Sequence, residues 1–397
     1  MRPITTLIPK DEALAVFLAE IRPVEETERV PVHLAGGRVL AETVYAGMDV
    51  PPFDRAAMDG YAVQAASTEN PPQELRCVEY LYAGMVATRT VAPGTCAEIA
   101  TGAPLPPGAD AVVMVEVTRK DGDRIFVDKS VKVGQHVTRR AADIQAGEAA
   151  VLAGTLLTPA RVGAIAAVGV AEVAVYRRPR VKVGATGNEV ARPGEAISPG
   201  QIYDINTYSL YALLHSIGCE VTMLDPCVDD VGSLKDAIRG ALDADLVVLS
   251  GGSSVGERDV LQDAFADLGT ILFHGVAIKP GKPTMLARIQ GKPVVGMPGY
   301  PTSCLSNGYM FLVPALCKMA RRPLPPTMKV RVPAVERLAS MADKHQLLTV
   351  RMHDGGAIGA FKESGVITSM SRADGFVEIP VGQAAVEAGQ EVEVTFL

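Results

Sequence analysis

Residues 245–250 constrain this chain more than any other stretch. Leu246-Val247-Val248-Leu249 is apolar at every position rather than at alternate ones, and Ser250-Gly251-Gly252-Ser253-Ser254 follows directly. A strand that is apolar on both faces must be covered on both, as in a parallel sheet between two layers of helices. The flanking pattern agrees. Val181-Lys182-Val183 is a short strand ending in a glycine turn. Leu210, Leu213, Leu214 and Ile217 mark an amphipathic helix that stops at Gly218, Val221 to Leu224 is the next strand, and residues 232–242 form a second helix. Strands alternating with helices predict a doubly wound βαβ sheet over residues 178–326, with ligands received at the C-terminal ends of its strands.

The rest of the chain predicts an α/β multidomain protein. Residues 11–21 have helical spacing, with Leu14, Phe17, Leu18 and Ile21 on one side. Over 46–146, short β-rich runs such as Ala111 to Val115 and Arg124 to Val127 alternate with Pro/Gly turns, which predicts an inserted β-rich domain. Residues 1–45 and 147–177 then form a linking α/β domain, whose first helix is expected on the central domain. Thr158-Pro159 marks a helix start, with Thr as cap and Pro at the first helical position. After Pro323-Leu324-Pro325-Pro326 the β pattern returns, and 327–397 reads as a small C-terminal β-barrel.

Composition excludes several function classes. A net charge of −7 with 5% aromatic residues does not suit a nucleic-acid surface. The six cysteines, at 77, 96, 219, 227, 304 and 317, include no Cys-x-x-Cys pair, so neither a zinc site nor a disulfide framework is expected. The longest apolar stretch, Val162 to Val175, is too short for a membrane span and contains Glu172. The N-terminus lacks the apolar core of a signal peptide, so a cytoplasmic protein is expected.

Three loops carry the chemistry. The cluster from Ser250 to Asp259 links the buried strand to a helix beginning near Val260. Its glycines let backbone N–H groups approach a phosphate or pterin, and Ser250 and Ser254 add hydroxyls. The same residues also read as a plain connection with Asp259 as a helix cap. In Lys279-Pro280-Gly281-Lys282-Pro283, two lysines on a stiff frame suit an anion clamp, although Lys-Pro-Gly alone is commonly a solvated turn. Pro298-Gly299-Tyr300-Pro301-Thr302-Ser303 puts the free N–H groups of a helix start at the same sheet edge. Each loop is weak alone; their convergence on one crevice is what points to a site. Asp229-Asp230 could join Asp259 around a hard cation such as Mg²⁺, with one of the pair serving instead as a helix cap. Thr186-Gly187-Asn188-Glu189 offers a hydroxyl and a carboxylate, and reads equally as a surface turn. In the inserted domain, Met58-Asp59-Gly60, Thr101-Gly102-Ala103-Pro104 and Arg139-Arg140-Ala141-Ala142-Asp143 read physically as turns with capping aspartates.

Taken together, these motifs resemble the molybdopterin molybdenumtransferase family, the MoeA and gephyrin E-domain type. The matches run along the chain: Ala57 to Val63, Thr101 to Pro104, Arg139 to Asp143, Thr186 to Glu189, the Ser-Gly-Gly loop to Asp259, Ala277 to Pro283, Pro298 to Ser303, and Ser369-Met370-Ser371-Arg372-Ala373-Asp374-Gly375. The resemblance implies a homodimer whose βαβ domain is shared with molybdopterin adenylyltransferases (a MogA-like domain), one of which would act upstream. It implies that adenylated molybdopterin and molybdate or tungstate are the substrates, and that the phosphoanhydride is cleaved with Mg²⁺ to release AMP and molybdenum cofactor. Asp229 (or Asp230) and Asp259 would hold the cation, with Glu189 at the cation or ligand. Lys279 and Lys282 would bind oxyanion or phosphate. Ser250, Gly251, Gly252, Ser254, Pro298, Gly299, Ser303, Ser369, Ser371 and Arg372 would line the ligand site, and Asp59, Thr101 and Asp143 would come from the partner subunit.

The chain departs from the family pattern in three places: Tyr300 replaces an Asn, Ala141-Ala142 a Gly-acid pair, and Asp343-Lys344 a Gly-Arg. Two other functions fit parts of the sequence. Molybdopterin adenylyltransferase activity needs only the central domain, and a pterin carrier or scaffold needs no turnover.

Overall fold

The computed structural model describes residues 6–251 and 260–397. The chain divides into two compact units: Met1–Glu28, Gly37–Val39 and Tyr176–Leu397 form one, and Arg29–Gly36 with Leu40–Val175 the other.

In the first unit a six-stranded sheet runs in the order Glu220–Met223, Arg180–Ala185, Leu246–Ser250, Lys292–Met297, Met285–Ile289, Thr270–His274. Its first four strands are parallel. Every residue of Leu246–Ser250 is buried, because its side chains alternate between two aliphatic layers. Leu246 and Val248 pack with Phe17, Leu210, Leu214 and Phe311, while Val247 and Leu249 pack with Leu234, Ile238, Leu261 and Phe265. The helix Lys10–Glu20 joins the first of these layers through Ala13 and Phe17. Asp245, at the start of the central strand, accepts two hydrogen bonds from Arg177, at 2.6 and 2.9 Å, and one from Arg180 N at 2.8 Å. Burial alone would raise its pKa, but these partners outweigh it and hold the carboxyl below the usual range.

The sheet also has a feature the doubly wound pattern does not predict. Met285–Ile289 and Thr270–His274 run antiparallel to their neighbours. Met285 therefore pairs with Gly296, near the end of Lys292–Met297. The loop that precedes Met285 emerges at the same edge as the loops that follow the parallel strands.

The C-terminal strands Lys329–Pro333, Glu391–Phe396, Gly375–Ile379 and His345–His353 pair antiparallel in that order. Gly356–Gly359 continues from His345–His353, and a bridge from Ala357 to Ala334 returns it toward the first strand. That closes the predicted barrel around Val332, Leu348, Val350, Val377 and Val394. Lys10 and His345 donate to Glu378 at 2.7 and 2.9 Å, which ties the N-terminal helix to the barrel.

The second unit holds a six-stranded sheet in the order Ala111–Met114, Gly60–Val63, Thr95–Ile99, Gln73–Leu81, Arg124–Val127, Thr118–Asp121. A separate core gathers Leu40, Val151, Leu157, Ile165 and Val175 around the helix Pro159–Ala167. Thr158 caps that helix by accepting from Arg161 N. Ala141 sits at φ +59°, a left-handed conformation that suits glycine, while its N–H donates to Pro51 O at 3.0 Å.

Ala141→Gly is expected to stabilise this unit by roughly 0.5–1 kcal/mol, because relief of left-handed strain exceeds the extra freedom glycine gives the unfolded chain. The urea midpoint should rise with the slope unchanged; a fall would mean the alanine is unstrained.

Candidate functional site

The C-terminal edge of the parallel strands is assembled from backbone contacts that leave no room for side chains. Thr186 N donates to Ser250 O at 2.7 Å, and Gly251 N to Met297 O at 3.2 Å. Gly251 has φ +106°, and a Cβ there would lie 2.2 Å from Thr186 O. A Cβ on Gly299 would lie 3.5 Å from Gly251 Cα. Asn206 Nδ2 donates to Gly299 O at 2.8 Å and anchors the Pro298-Gly299 turn to the helix Asn206–Ser216. The loops after the three parallel strands thus meet along one line. Thr186 Oγ1, Ser250 Oγ, Asn206 Oδ1 and Thr207 Oγ1 are buried along it with no hydrogen-bond partner among the described residues. Unpaired buried polar atoms are costly, and a polar ligand would satisfy such a set. Gly252, Ser254 and Asp259 lie outside the described residues.

The lysine loop arrives from the hairpin at the same edge. Lys279 ends the short strand Ile278–Lys279, which pairs in parallel with His345 and Gln346 of the barrel. Val276 N donates to Lys282 O at 2.9 Å. Both lysines are partly buried, and neither ammonium has a carboxylate partner among the described residues. The barrel reaches the site by a second route: Thr302 N donates to Ser364 O at 3.0 Å, and Thr302 Oγ1 to Val366 O at 2.9 Å.

This contact brings the helical turn Thr368–Ser371 toward the helix Pro301–Asn307, with Ser306 Oγ 3.8 Å from Met370 Sδ. Ser371 and Arg372 are exposed. Ser369 is fully buried, accepts from Lys362 N at 3.0 Å and holds its own loop together. Ser303 is likewise buried, within its helix.

Two carboxylates border the crevice. Glu189 folds back over its turn, so that a Cβ on Gly187 would lie 2.6 Å from Glu189 Oε2. Asn188 Oδ1 accepts from Asp229 N at 3.2 Å, joining that turn to the Asp229-Asp230 segment. The two aspartates divide their roles. Asp230 caps the helix Val231–Arg239 by accepting from Ser233 N at 2.7 Å, and this bond holds its carboxyl below the usual range. Among the described residues no three His, Cys, Asp or Glu side chains cluster as a complete metal cage. Two carboxylates beside this polar edge nonetheless fit Mg²⁺, which takes one or two carboxylates and completes its shell with water and substrate oxygens.

The second unit holds the remaining expected residues and brings two of them, Asp59 and Thr101, together. Asp59 accepts from Thr101 N at 2.7 Å and from Thr101 Oγ1 at 2.9 Å, which lowers its pKa. Arg55–Ala56 pairs with Val137–Thr138, drawing the Arg139–Asp143 segment to the same side. Arg139 pairs with Asp54 at 2.6 Å and Arg140 with Asp49, leaving Asp143 exposed. Asp59 also lines a cavity of about 220 Å³ with Tyr61, Tyr80, Tyr82, Glu98 and Val115.

Of the family departures, Tyr300 is 67% exposed at the mouth of the Pro-Gly turn, and Lys344 lies 3.6 Å from Asp343. Sequence motifs alone miss Asn206, Thr207, Thr284 and Asn307. The available signal at Asn307 is only a polar residue just before the apolar run Tyr309 to Val313. No helix among the described residues is long and apolar enough to cross a membrane.

Comparison with known proteins matches the whole organisation. Residues 8–169 match the MoeA N-terminal region (domain I and II), 182–318 a probable molybdopterin binding domain, and 331–397 the MoeA C-terminal region (domain IV). The chain is 35% identical over 398 residues to molybdopterin molybdenumtransferase 2 of Mycobacterium tuberculosis, covering 96% of each chain. It is 33% identical to the molybdopterin molybdenumtransferase of a Nostoc species, over 97% of this chain and 92% of that one. The crystal structure of a molybdopterin biosynthesis MoeA protein from Pyrococcus horikoshii superposes with a TM-score of 0.83 at 38% identity, over 98% of this chain and 99% of that one. With the MoeA N-terminal and C-terminal regions matched on either side of a molybdopterin binding domain, and relatives a third identical along nearly their whole length, the chain belongs to the MoeA family of molybdopterin molybdenumtransferases.

Proposed function

We propose that this protein inserts molybdenum, delivered as molybdate (or tungstate), into adenylated molybdopterin. On this reading it cleaves the phosphoanhydride and releases AMP and molybdenum cofactor. One observation carries the proposal: a sheet edge with orphaned polar atoms, two lysines without carboxylate partners and two nearby carboxylates, on a chain of the MoeA family.

The residues divide the work by chemistry. Gly251 and the Pro298-Gly299 turn let backbone N–H groups approach the pterin or its phosphate, as at other glycine-lined anion sites. Lys279 and Lys282 supply point charges to a tetrahedral oxyanion. Glu189 and Asp229, with Asp259, would hold Mg²⁺, which supplies charge neutralisation at the anhydride. Ser371 and Arg372 stand at the barrel side of the crevice. Asp59, Thr101 and Asp143 act from the partner subunit of a cytoplasmic homodimer, and an adenylyltransferase supplies the substrate.

The direct test incubates the protein with adenylated molybdopterin, Mg²⁺ and molybdate and scores AMP and loaded cofactor. Consumption of ATP with bare molybdopterin would point instead to adenylyl transfer, and binding without AMP release to a carrier. In the same assay Lys279→Ala and Lys282→Ala should each raise the half-saturating molybdate concentration about tenfold or more, the scale of one charged contact. Half-saturation by the adenylated pterin should change far less; equal losses would reassign the lysines to the pterin phosphate.

Asp229→Ala should raise the Mg²⁺ requirement. Asp230→Ala should cost about 1 kcal/mol of stability as a lost helix cap while leaving the Mg²⁺ requirement unchanged. The reverse pattern would exchange the two roles.

Shared sites make a further demand. Asp59→Asn and Asp259→Asn should each be nearly inactive alone. Refolded together, random pairing makes half the dimers mixed, each with one intact site, so about a quarter of wild-type sites should reappear. No recovery despite proven mixed dimers would place each site within one chain.

A further inference from the structure

Two polar side chains outside the motifs shape the lysine loop. Asn307 ends the helix Pro301–Asn307 and is fully buried. Its Nδ2 donates to Gly281 O at 3.0 Å and to Thr284 Oγ1 at 2.5 Å, and Thr284 Oγ1 donates to Gly281 O at 2.9 Å. The three groups close a ring of hydrogen bonds on one carbonyl, between Lys279 and Lys282 and directly beside the latter. The packing is equally tight. Gly281 has φ +107°, and a Cβ there would lie 2.3 Å from Asn307 Nδ2. The loop can cross the Asn307 amide only as a glycine.

Asn307 is an expensive choice for a helix interior. Its Oδ1 is buried with no hydrogen-bond partner among the described residues, a cost that an apolar side chain of similar volume would avoid. Directly after it the helix widens into a π turn over Gly308–Leu312, a distortion found often beside functional sites. Both features sit where the helix meets the lysine loop. The loop's outer ends are fixed separately, Lys279 by its strand pairing with the barrel and Lys282 by the Val276 bond. Two ammonium groups on flexible stems repel each other. They can meet one small dianion together only if the backbone between them holds its shape.

We propose that Asn307, acting with Thr284 through the Gly281 carbonyl, is a positioning residue that sets the spacing and direction of Lys279 and Lys282 for a tetrahedral oxyanion. This rests on the reading of the lysines as an oxyanion clamp. Asn307 itself touches no substrate, and its effect is confined to the capture of the anion.

The test uses the full-length protein with three variants. Asn307→Leu keeps the volume and removes the donors, Thr284→Val removes the hydroxyl at nearly constant shape, and Lys282→Ala serves as reference. With saturating adenylated molybdopterin and Mg²⁺, Asn307→Leu and Thr284→Val should each raise the half-saturating molybdate concentration about tenfold, the loss of one buried hydrogen bond. The rate at saturating molybdate and the half-saturating pterin concentration should stay within about twofold, well under the scale of one hydrogen bond. The double variant should be no worse than the worse single one, because both cut the same ring. A merely structural role would lower the melting temperature and the rate while leaving the molybdate requirement in place. If Lys282→Ala raises that requirement but Asn307→Leu and Thr284→Val do not, the positioning role is overturned while the clamp stands. An unmoved requirement in Lys282→Ala overturns the clamp, and this inference with it. Should Asn307→Leu fail to fold, Thr284→Val decides the question alone.

Discussion

A single strand with no exposed face organises the first unit. Leu246–Ser250 has aliphatic packing on both sides and parallel neighbours along both edges, so it cannot form until helices cover it front and back. Parallel neighbours require crossover connections, and each crossover leaves from the same end of the sheet. The gathering of Thr186, Gly251 and Gly299 into one line follows from that geometry. The paired contacts of Arg177 and Asp245 fix the other end of the strand.

The parts of this organisation that repeat with a period could be read from the residues. The all-apolar central strand, the Leu210–Ile217 helix stopping at Gly218, and the Thr158-Pro159 helix start each follow from a local rule, and each stands where that rule puts it. The reversed strands Met285–Ile289 and Thr270–His274 follow no such rule, because an apolar run does not record the direction of its neighbour. That direction brings the lysine loop to the crevice. The motif was legible, but the reason it reaches the site was not.

Asp229 and Asp230 show a similar limit. Adjacent aspartates before a helix are equivalent as letters, and the bond from Ser233 N marks Asp230 as the cap. Asn307 was less legible still, since its partners lie more than twenty residues away in the sequence. In the second unit the difficulty was of another kind. Asp59 capping Thr101, and Asp143 exposed beyond two arginines held by Asp54 and Asp49, are physically ordinary turns. Their chemistry came from the resemblance and not from any property of the residues themselves.

The strand Ile278–Lys279 has one further consequence. It lies inside the α/β portion of the chain, yet its pairing partners, His345 and Gln346, belong to the barrel that follows. As the polypeptide leaves the ribosome, the parallel sheet can be complete while one of its two lysines still lacks the strand that fixes it. If the lysines act as proposed, an unfinished protein would have its ligand edge before it has its full grip on the anion. On the reading proposed above, the order of synthesis would delay that grip until the barrel has emerged.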